Sequence, residues 1–274
     1  MRRLIIRPGA IGDFVVSIPA IECLLSDYVE VWAATQNVPL ARFADRARPI
    51  ASTGLDLLEV LGPSPQLGEA LRGFDSIVSW YGANRAEFRD RVKALELPFR
   101  FFAALPPEGV KMHAADYYLR QVREICHCPS DGVPRISCPE AHGDFAVIHP
   151  FAGSAKKRWP LDRFRELARR LERHVPVRWC AGPEDELPDA VRFTDLYELG
   201  CWLAGTRVYI GNDSGPTHIA AAVGAPLVAL FGPTDPSVWG PRGERVTVVA
   251  APSLEAISVE QVEAAVAATW RQSR

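Results

Sequence analysis

The stretch Tyr209–Pro233, YIGNDSGPTHIAAAVGAPLVALFGP, runs from a β-prone segment through a tight polar loop into a helix and out into a second apolar strand. Val208, Tyr209 and Ile210 favour a strand, Gly211 and Asn212 break it, and Pro216 suits the first turn of a helix, where its missing N–H costs nothing. The helix starts beside Ser214 and Gly215. Free backbone N–H groups and the positive end of the helix dipole converge there, and Gly215 admits a ligand close to the main chain. Such a loop suits phosphate. A carboxylate beside a diphosphate repels it, so Asp213 reads as a contact to a sugar or ribose hydroxyl, as a group orienting the loop amides, or, like Ser214, simply as the N-cap.

Outward from this stretch, strand-length apolar runs alternate with helical patterns, which predicts an α/β fold of parallel sheets. In the first half, strands are expected at 4–7, 29–33, 57–60, 76–80 and 99–102, with helices starting near Gly12, Asn37, Gln66, Asn84 and His113. The segment from Pro129 to Pro139 is turn-rich and without periodicity, and predicts a domain linker. The second half opens with a strand at 145–149 and a helix whose Leu161, Phe164, Leu167, Ala168 and Leu171 share one face. A strand at 177–180 and a helix at 195–204, stopped by Gly205, lead into the opening stretch; strands at 227–231 and 246–249 follow. Ser258-Val259-Glu260-Gln261 reads as a capping box for a last helix with Val259, Val262, Val266 and Trp270 on one face. The expected organisation is an N-terminal Rossmann-like domain over 1–135, a second over 143–256, and a helix over 257–274 that returns to the first.

With 274 residues the chain can bury a large core, and 48% hydrophobic against 23% charged residues is ordinary for a soluble globular protein. A formal charge of −2 argues against a dedicated nucleic-acid binder. Apolar runs are too short to cross a membrane, and Arg7 and Pro8 interrupt the N-terminus too early for a signal peptide, so a cytoplasmic address is expected. Six cysteines, at 23, 126, 128, 138, 180 and 201, are too sparse for a disulfide scaffold and are expected as reduced thiols. Cys126, Cys128, Cys138 and His142 lack the C-x-x-C spacing of a closed zinc site, and no metal or cofactor is expected.

Three further loops carry candidate chemistry. Arg7-Pro8-Gly9-Ala10-Ile11-Gly12-Asp13 leaves the first strand and enters a helix, where open α/β sheets place ligands. The glycine spacing is not G-x-G-x-x-G, which removes the main support for a dehydrogenase. Asp13 reads as a general base, or as an N-capping residue. The second loop, from His149 to Pro160, sets Lys156, Lys157 and Arg158 behind a Gly153-Ser154 turn; Ser154 and the turn amides suit phosphate oxygens while Lys157 neutralises charge. The third, Gly182-Pro183-Glu184-Asp185-Glu186, puts carboxylates after a strand, suited to ribose hydroxyls or to an acidic helix start.

Gly9-Ala10-Ile11-Gly12-Asp13, Lys157-Arg158-Trp159-Pro160 and Asn212-Asp213-Ser214-Gly215-Pro216-Thr217-His218, followed by Gly232-Pro233-Thr234-Asp235-Pro236, together resemble glycosyltransferase family 9, the ADP-heptose lipopolysaccharide heptosyltransferases. The resemblance implies a GT-B fold, two facing Rossmann-like domains with the donor held mainly by the C-terminal one, and metal-independent inversion at the anomeric carbon. It implies Asp13 as the base, with Gly9 and Gly12 in an acceptor-side loop. Ser154, Lys157, Glu186, Asp213, Ser214, Gly215, Pro216, Thr217 and His218 are implied as the donor contacts, with Glu186 on ribose and Glu184 its competitor.

That chemistry needs one base, because the nucleotide diphosphate leaves without protonation when its charge is stabilised. The expected partners are an ADP-heptose donor and a lipopolysaccharide-core, glycan or glycolipid acceptor, with peripheral contact at the inner membrane surface. Arg42, Arg46 and Arg48 in one predicted helical region, and Arg85, Arg89, Arg91 and Lys93 in another, suit an anionic acceptor, although scattered surface arginines are common. The alternatives are a nucleotide-sugar epimerase or hydrolase of the same fold, and a non-catalytic nucleotide-sugar-binding protein.

Overall fold

The computed structural model describes residues 1–109 and 111–272, which form two compact units, Met1–Ala10, Ser17–Val110 and Ala114–Asp131 against Ile11–Val16, Lys111–His113 and Gly132–Arg274. The division at 131/132 falls inside the turn-rich segment.

In the first unit, strands β1 (Arg2–Arg7), β2 (Tyr28–Ala33), β3 (Arg46–Pro49), β4 (Ser76–Ser79) and β5 (Phe99–Phe101) form one parallel sheet in the order β3-β2-β1-β4-β5. Helix α1 (Ile11–Glu22) follows β1; α2 (Leu58–Leu61) and α3 (Pro65–Arg72) precede β4; α4 (Ala86–Ala94) links β4 to β5; and α5 (Ala114–Val122) ends the unit. Leu4, Ile6, Trp32, Leu55, Leu58, Ile77 and Phe88 share one buried cluster. The central strands read as apolar runs because a parallel sheet is covered on both faces.

Three expectations fail here. The run at 57–60 is a helical turn leading into α2, because Leu55 and Leu58 are buried at helical spacing while Leu57 and Val60 face solvent. The third strand is β3 instead, an edge strand whose arginines and Pro49 are compatible with one open side. Arg46 and Arg48 therefore lie on a strand, with Arg48 3.7 Å from Glu30 across the β2–β3 pair. Near Asn37 there is only the short 3₁₀ segment Thr35–Leu40. The cysteine reading also changes: Cys23, at the end of α1, is disulfide-bonded to Cys128, beyond α5, while Cys126, Cys138, Cys180 and Cys201 are free thiols. Sequence distance hid the pairing, since only the fold brings positions 105 apart to a Cα separation of 5.4 Å.

In the second unit, β6 (Ala146–His149), β7 (Val177–Trp179), β8 (Val208–Asn212), β9 (Leu227–Phe231) and β10 (Val246–Ala250) give a parallel sheet ordered β10-β9-β8-β6-β7. Helices α6 (Leu161–Leu171), α7 (Leu196–Ala204), α8 (Gly215–Ala222), α9 (Pro236–Trp239) and α10 (Val259–Gln272) connect and cover it. Strand order reverses between β6 and β8, and loops at that carboxyl edge open a crevice that α/β proteins use for ligands. The Asp195 carboxylate caps α7 through the amides of Tyr197 and Glu198. Helix α10 begins with the reciprocal capping box: Ser258 N–H donates to Gln261 Oε1 at 2.8 Å, and Gln261 N–H to Ser258 Oγ at 3.2 Å. The helix was expected to return to the first domain; instead Val259, Val262 and Val266 pack into the core of the second sheet beside Phe164 and Leu167 of α6. Its apolar face is complementary to that sheet, and each buried valine contributes roughly 1.5 kcal/mol or more.

Candidate functional site

The loop after β8 is wired from beneath. Tyr209 is fully buried, and its hydroxyl lies 3.1 Å from Thr217 Oγ1, which donates to the Asn212 carbonyl at 2.5 Å and lies 3.1 Å from Ser214 Oγ. Burial pushes the Tyr209 phenol up, so it stays protonated. Gly211 is required by this wiring, because a Cβ there would come 2.6 Å from the Tyr209 hydroxyl. Thr217, expected to touch donor, has no exposed surface: its hydroxyl braces the loop.

Ser214 occupies the N-cap of α8 but its side chain caps nothing, so neither it nor Asp213 closes the helix N-terminus. Ser214, Gly215 and Pro216 are half-buried around that open end. The first-turn amides and the dipole therefore remain suited to an anion.

Asp213 is buried and ion-paired. Its Oδ2 lies 2.7 Å from Lys157 Nζ, and its Oδ1 lies 3.8 Å from His218 Nε2, beyond hydrogen-bond length. Burial alone would raise this carboxyl, but the pull of His218, Lys157 and Thr234 outweighs it and holds the group at about 2. The repulsion expected between Asp213 and a diphosphate is thus offset before any ligand arrives, with Lys157 still 36% exposed at its side chain.

Lys157 is delivered by the loop after β6. Ser154 begins the 3₁₀ turn Ala155–Lys157 and is exposed, as is Gly153. Besides the ion pair, this loop is connected to the Asp213 loop by Asn212, which in the sequence has the look of a strand breaker alone. Its Oδ1 accepts from Trp159 N–H at 3.0 Å and its Nδ2 donates to the Pro150 carbonyl at 2.8 Å, with no exposure to solvent. Trp159 in turn donates from Nε1 to the Ile257 carbonyl at 2.9 Å, which anchors the loop to the segment before α10.

The acidic loop after β7 does not join this cluster through Glu186. Glu184 and Glu186 are both exposed, and it is Asp185, half-buried, that turns inward, accepting from Gly182 N–H at 2.8 Å. His149, at the end of β6, is also a residue to which the motifs give no role. It is buried, and burial takes its imidazole down to about 4 against the opposing charge of Asp185.

Around the first loop, Gly9 has φ 144° and its carbonyl accepts from Asn37 Nδ2 at 3.0 Å. Asp13 lies in the first turn of α1, three residues past the N-cap Ala10, so it is not the cap. Residues 11–16 cluster with the second unit. Within it, a Cβ on Gly12 would lie 3.0 Å from His218 Cδ2, and one on Gly215 only 2.6 Å from Ile11 Cβ, so both glycines are fixed by close approach.

A model of glycosyltransferase family 9 (heptosyltransferase) matches residues 109–266. Among curated proteins, the chain is 31% identical over 119 residues to lipopolysaccharide heptosyltransferase 3 of Escherichia coli K12, covering 37% of this chain and 35% of that one. It is 24% identical over 311 aligned positions to lipooligosaccharide heptosyltransferase 2 of Haemophilus ducreyi, covering 91% and 88%. The match thus spans about a third of the length of the first of these relatives. Among solved structures, the E. coli ADP-heptose LPS heptosyltransferase II superposes with a TM-score of 0.75 at 20% identity, covering 100% of this chain and 99% of that one. The E. coli heptosyltransferase WaaC with ADP gives 0.72 at 17%, covering 98% and 100%. These likenesses place the two five-stranded sheets in the GT-B fold.

Proposed function

The chain belongs to glycosyltransferase family 9, and from that premise we propose that it transfers heptose, or a related sugar, from an ADP-sugar to a lipopolysaccharide-core or other glycan acceptor. The observation that carries this reading is the Lys157–Asp213 ion pair beside the uncapped N-terminus of α8. A leaving diphosphate needs stabilisation of its growing negative charge, and in this reading a lysine, a histidine edge and first-turn amides are the groups that supply it. In the reading we propose, Lys157, His218 and the Ser214–Gly215–Pro216 turn receive the diphosphate, and Ser154 reaches the same oxygens from the exposed turn. Glu186, on the loop after β7, binds ribose.

Asp13 is the proposed base. It deprotonates the acceptor hydroxyl, which attacks the anomeric carbon from the face opposite the nucleotide, and the configuration inverts. With a cation and helix amides already assigned to the diphosphate, the reaction we propose needs no metal. The acceptor is assigned to the first unit, where Arg89, Arg91 and Lys93 are exposed on α4, suited to an anionic glycolipid at the inner membrane surface. Arg48 and Arg85 are instead engaged by Glu30 and Glu59.

The test is to incubate the purified protein with ADP-heptose and a lipopolysaccharide-core acceptor, with and without chelator, and to follow ADP release and the anomeric configuration of the product. Chelator-insensitive ADP release that depends on acceptor and yields inverted product is expected. Asp13→Asn should lower kcat by about 10²–10⁴-fold with ADP affinity unchanged. ADP release that ignores the acceptor would redirect the assignment to a hydrolase.

A further inference from the structure

His149 closes β6 and pairs with Gly211 across the point where strand order reverses. The Lys157 loop leaves from one side of that point and the Asp213 loop from the other. His149 is 5% exposed, and among the described residues its buried Nδ1 has no hydrogen-bond partner. The ion-pair cluster makes no use of it. An orphaned polar atom of this kind is destabilising, and a core position so central would be better filled by an apolar side chain unless a partner arrives.

The identity of that partner follows from the charge state and the neighbours. With its imidazole held at about 4, His149 is neutral near pH 7, so Nδ1 is a donor or an acceptor according to tautomer. A hydroxyl satisfies either form, whereas a phosphate oxygen satisfies only the donor. The charged neighbours that act on the ring are Asp185, on the acidic loop suited to ribose, and Arg158, on the cationic loop suited to phosphate.

We propose that His149 is a donor-recognition residue whose Nδ1 exchanges a hydrogen bond with a ribose hydroxyl of the bound nucleotide, at the junction of β6 and β8. The Phe151 ring stands edge-on to the imidazole with centroids 6.2 Å apart, and because Nδ1 is buried the contact requires its surroundings to open as the nucleotide enters. This inference rests on the second unit being a nucleotide-sugar site.

The experiment measures binding of ADP and of inorganic pyrophosphate to the wild-type chain, His149→Leu and His149→Asn by calorimetry. Asparagine keeps a hydrogen-bonding atom near the place of Nδ1, and leucine removes it. Leucine is expected to weaken ADP by about 5–10-fold, the scale of one neutral hydrogen bond, with pyrophosphate unchanged and asparagine recovering most of the loss. Should the leucine variant fail to fold, ¹⁵N-histidine spectra of the wild-type chain decide instead. The Nδ1 resonance missing from the asparagine variant should move when ADP is added. Unchanged ADP affinity in the leucine variant, an unmoved resonance, or an equal loss of pyrophosphate overturns the ribose contact alone. A folded wild-type chain that binds no ADP overturns the proposed function, and this inference with it.

Discussion

Lys157 and Asp213 stand 56 positions apart in the chain and 2.7 Å apart in space, the cation partly in solvent and the carboxylate nearly out of it. This asymmetry separates two roles that single substitutions would blur. Lys157→Ala leaves a buried carboxylate with His218 and Thr234 but without its cation, and is expected to cost about 1–3 kcal/mol of stability. Adding Asp213→Asn should restore much of that stability while ADP affinity stays at least about tenfold below wild type, because the cation is still missing. Chemical denaturation and calorimetry on the three variants check both halves. Recovery of ADP affinity in the double variant would show that Lys157 serves only its partner.

The same carboxyl predicts an acid-sensitive term. Its value of about 2 in the folded chain lies below the ordinary 3.8, so the charged form favours folding above pH 3.8, and that contribution is lost as pH falls through about 2. The linked amount is about 2 kcal/mol. The difference in unfolding free energy between wild type and Asp213→Asn should therefore shrink between pH 5 and pH 2. A difference that stays flat over that interval would contradict the assigned cause.

Asn212 makes a prediction at a residue with no exposed surface. Asn212→Ala deprives the Trp159 N–H and the Pro150 carbonyl of their partner at once, at an expected cost of about 2–3 kcal/mol. ADP affinity should fall as well, since the Lys157 turn loses its tie to the Asp213 loop. Titration of the variant with ADP reads this directly, and wild-type affinity would refute the coupling.

The Cys23–Cys128 link closes a long loop within the first unit. In the chain-entropy account such a link is worth about 3–5 kcal/mol. Urea unfolding followed through the first unit's tryptophans, Trp32 and Trp80, should therefore shift to lower midpoint on reduction or in Cys128→Ser. Cys126→Ser, which leaves the disulfide in place, should not shift it. An unchanged midpoint in reductant would remove the link from the stability of this unit.

How far the sequence disclosed this molecule depended on the range of the interaction being read. Strand β9 is buried at every position and α6 buries one face, so continuous and 3.6-residue apolar patterns announced them. The Ser258–Gln261 capping box is local, and it formed as spelled. β3 is hydrophilic because it is an edge strand, and its alternation was too weak to outweigh the leucines at 55–58. The disulfide depends on proximity created by the fold, which spacing alone does not encode. At the candidate site, Lys157 and Asp213 stood out as charges in loops. Asn212 and His149 did not, because one acts by bridging two loops and the other by a missing partner. Both properties exist only once β6 and β8 lie side by side.

Asn212 also sets the unit in which this site can be transplanted. Its amide binds the two halves of the sheet's carboxyl edge into one piece, Pro150 and Trp159 on one strand's loop and Asp213 on the next. A chimera that borrows residues 150–160 from a relative with a different donor would import a loop without its clasp, and so would the reciprocal swap of 212–218. The exchangeable module is the pair, cut from the same parent.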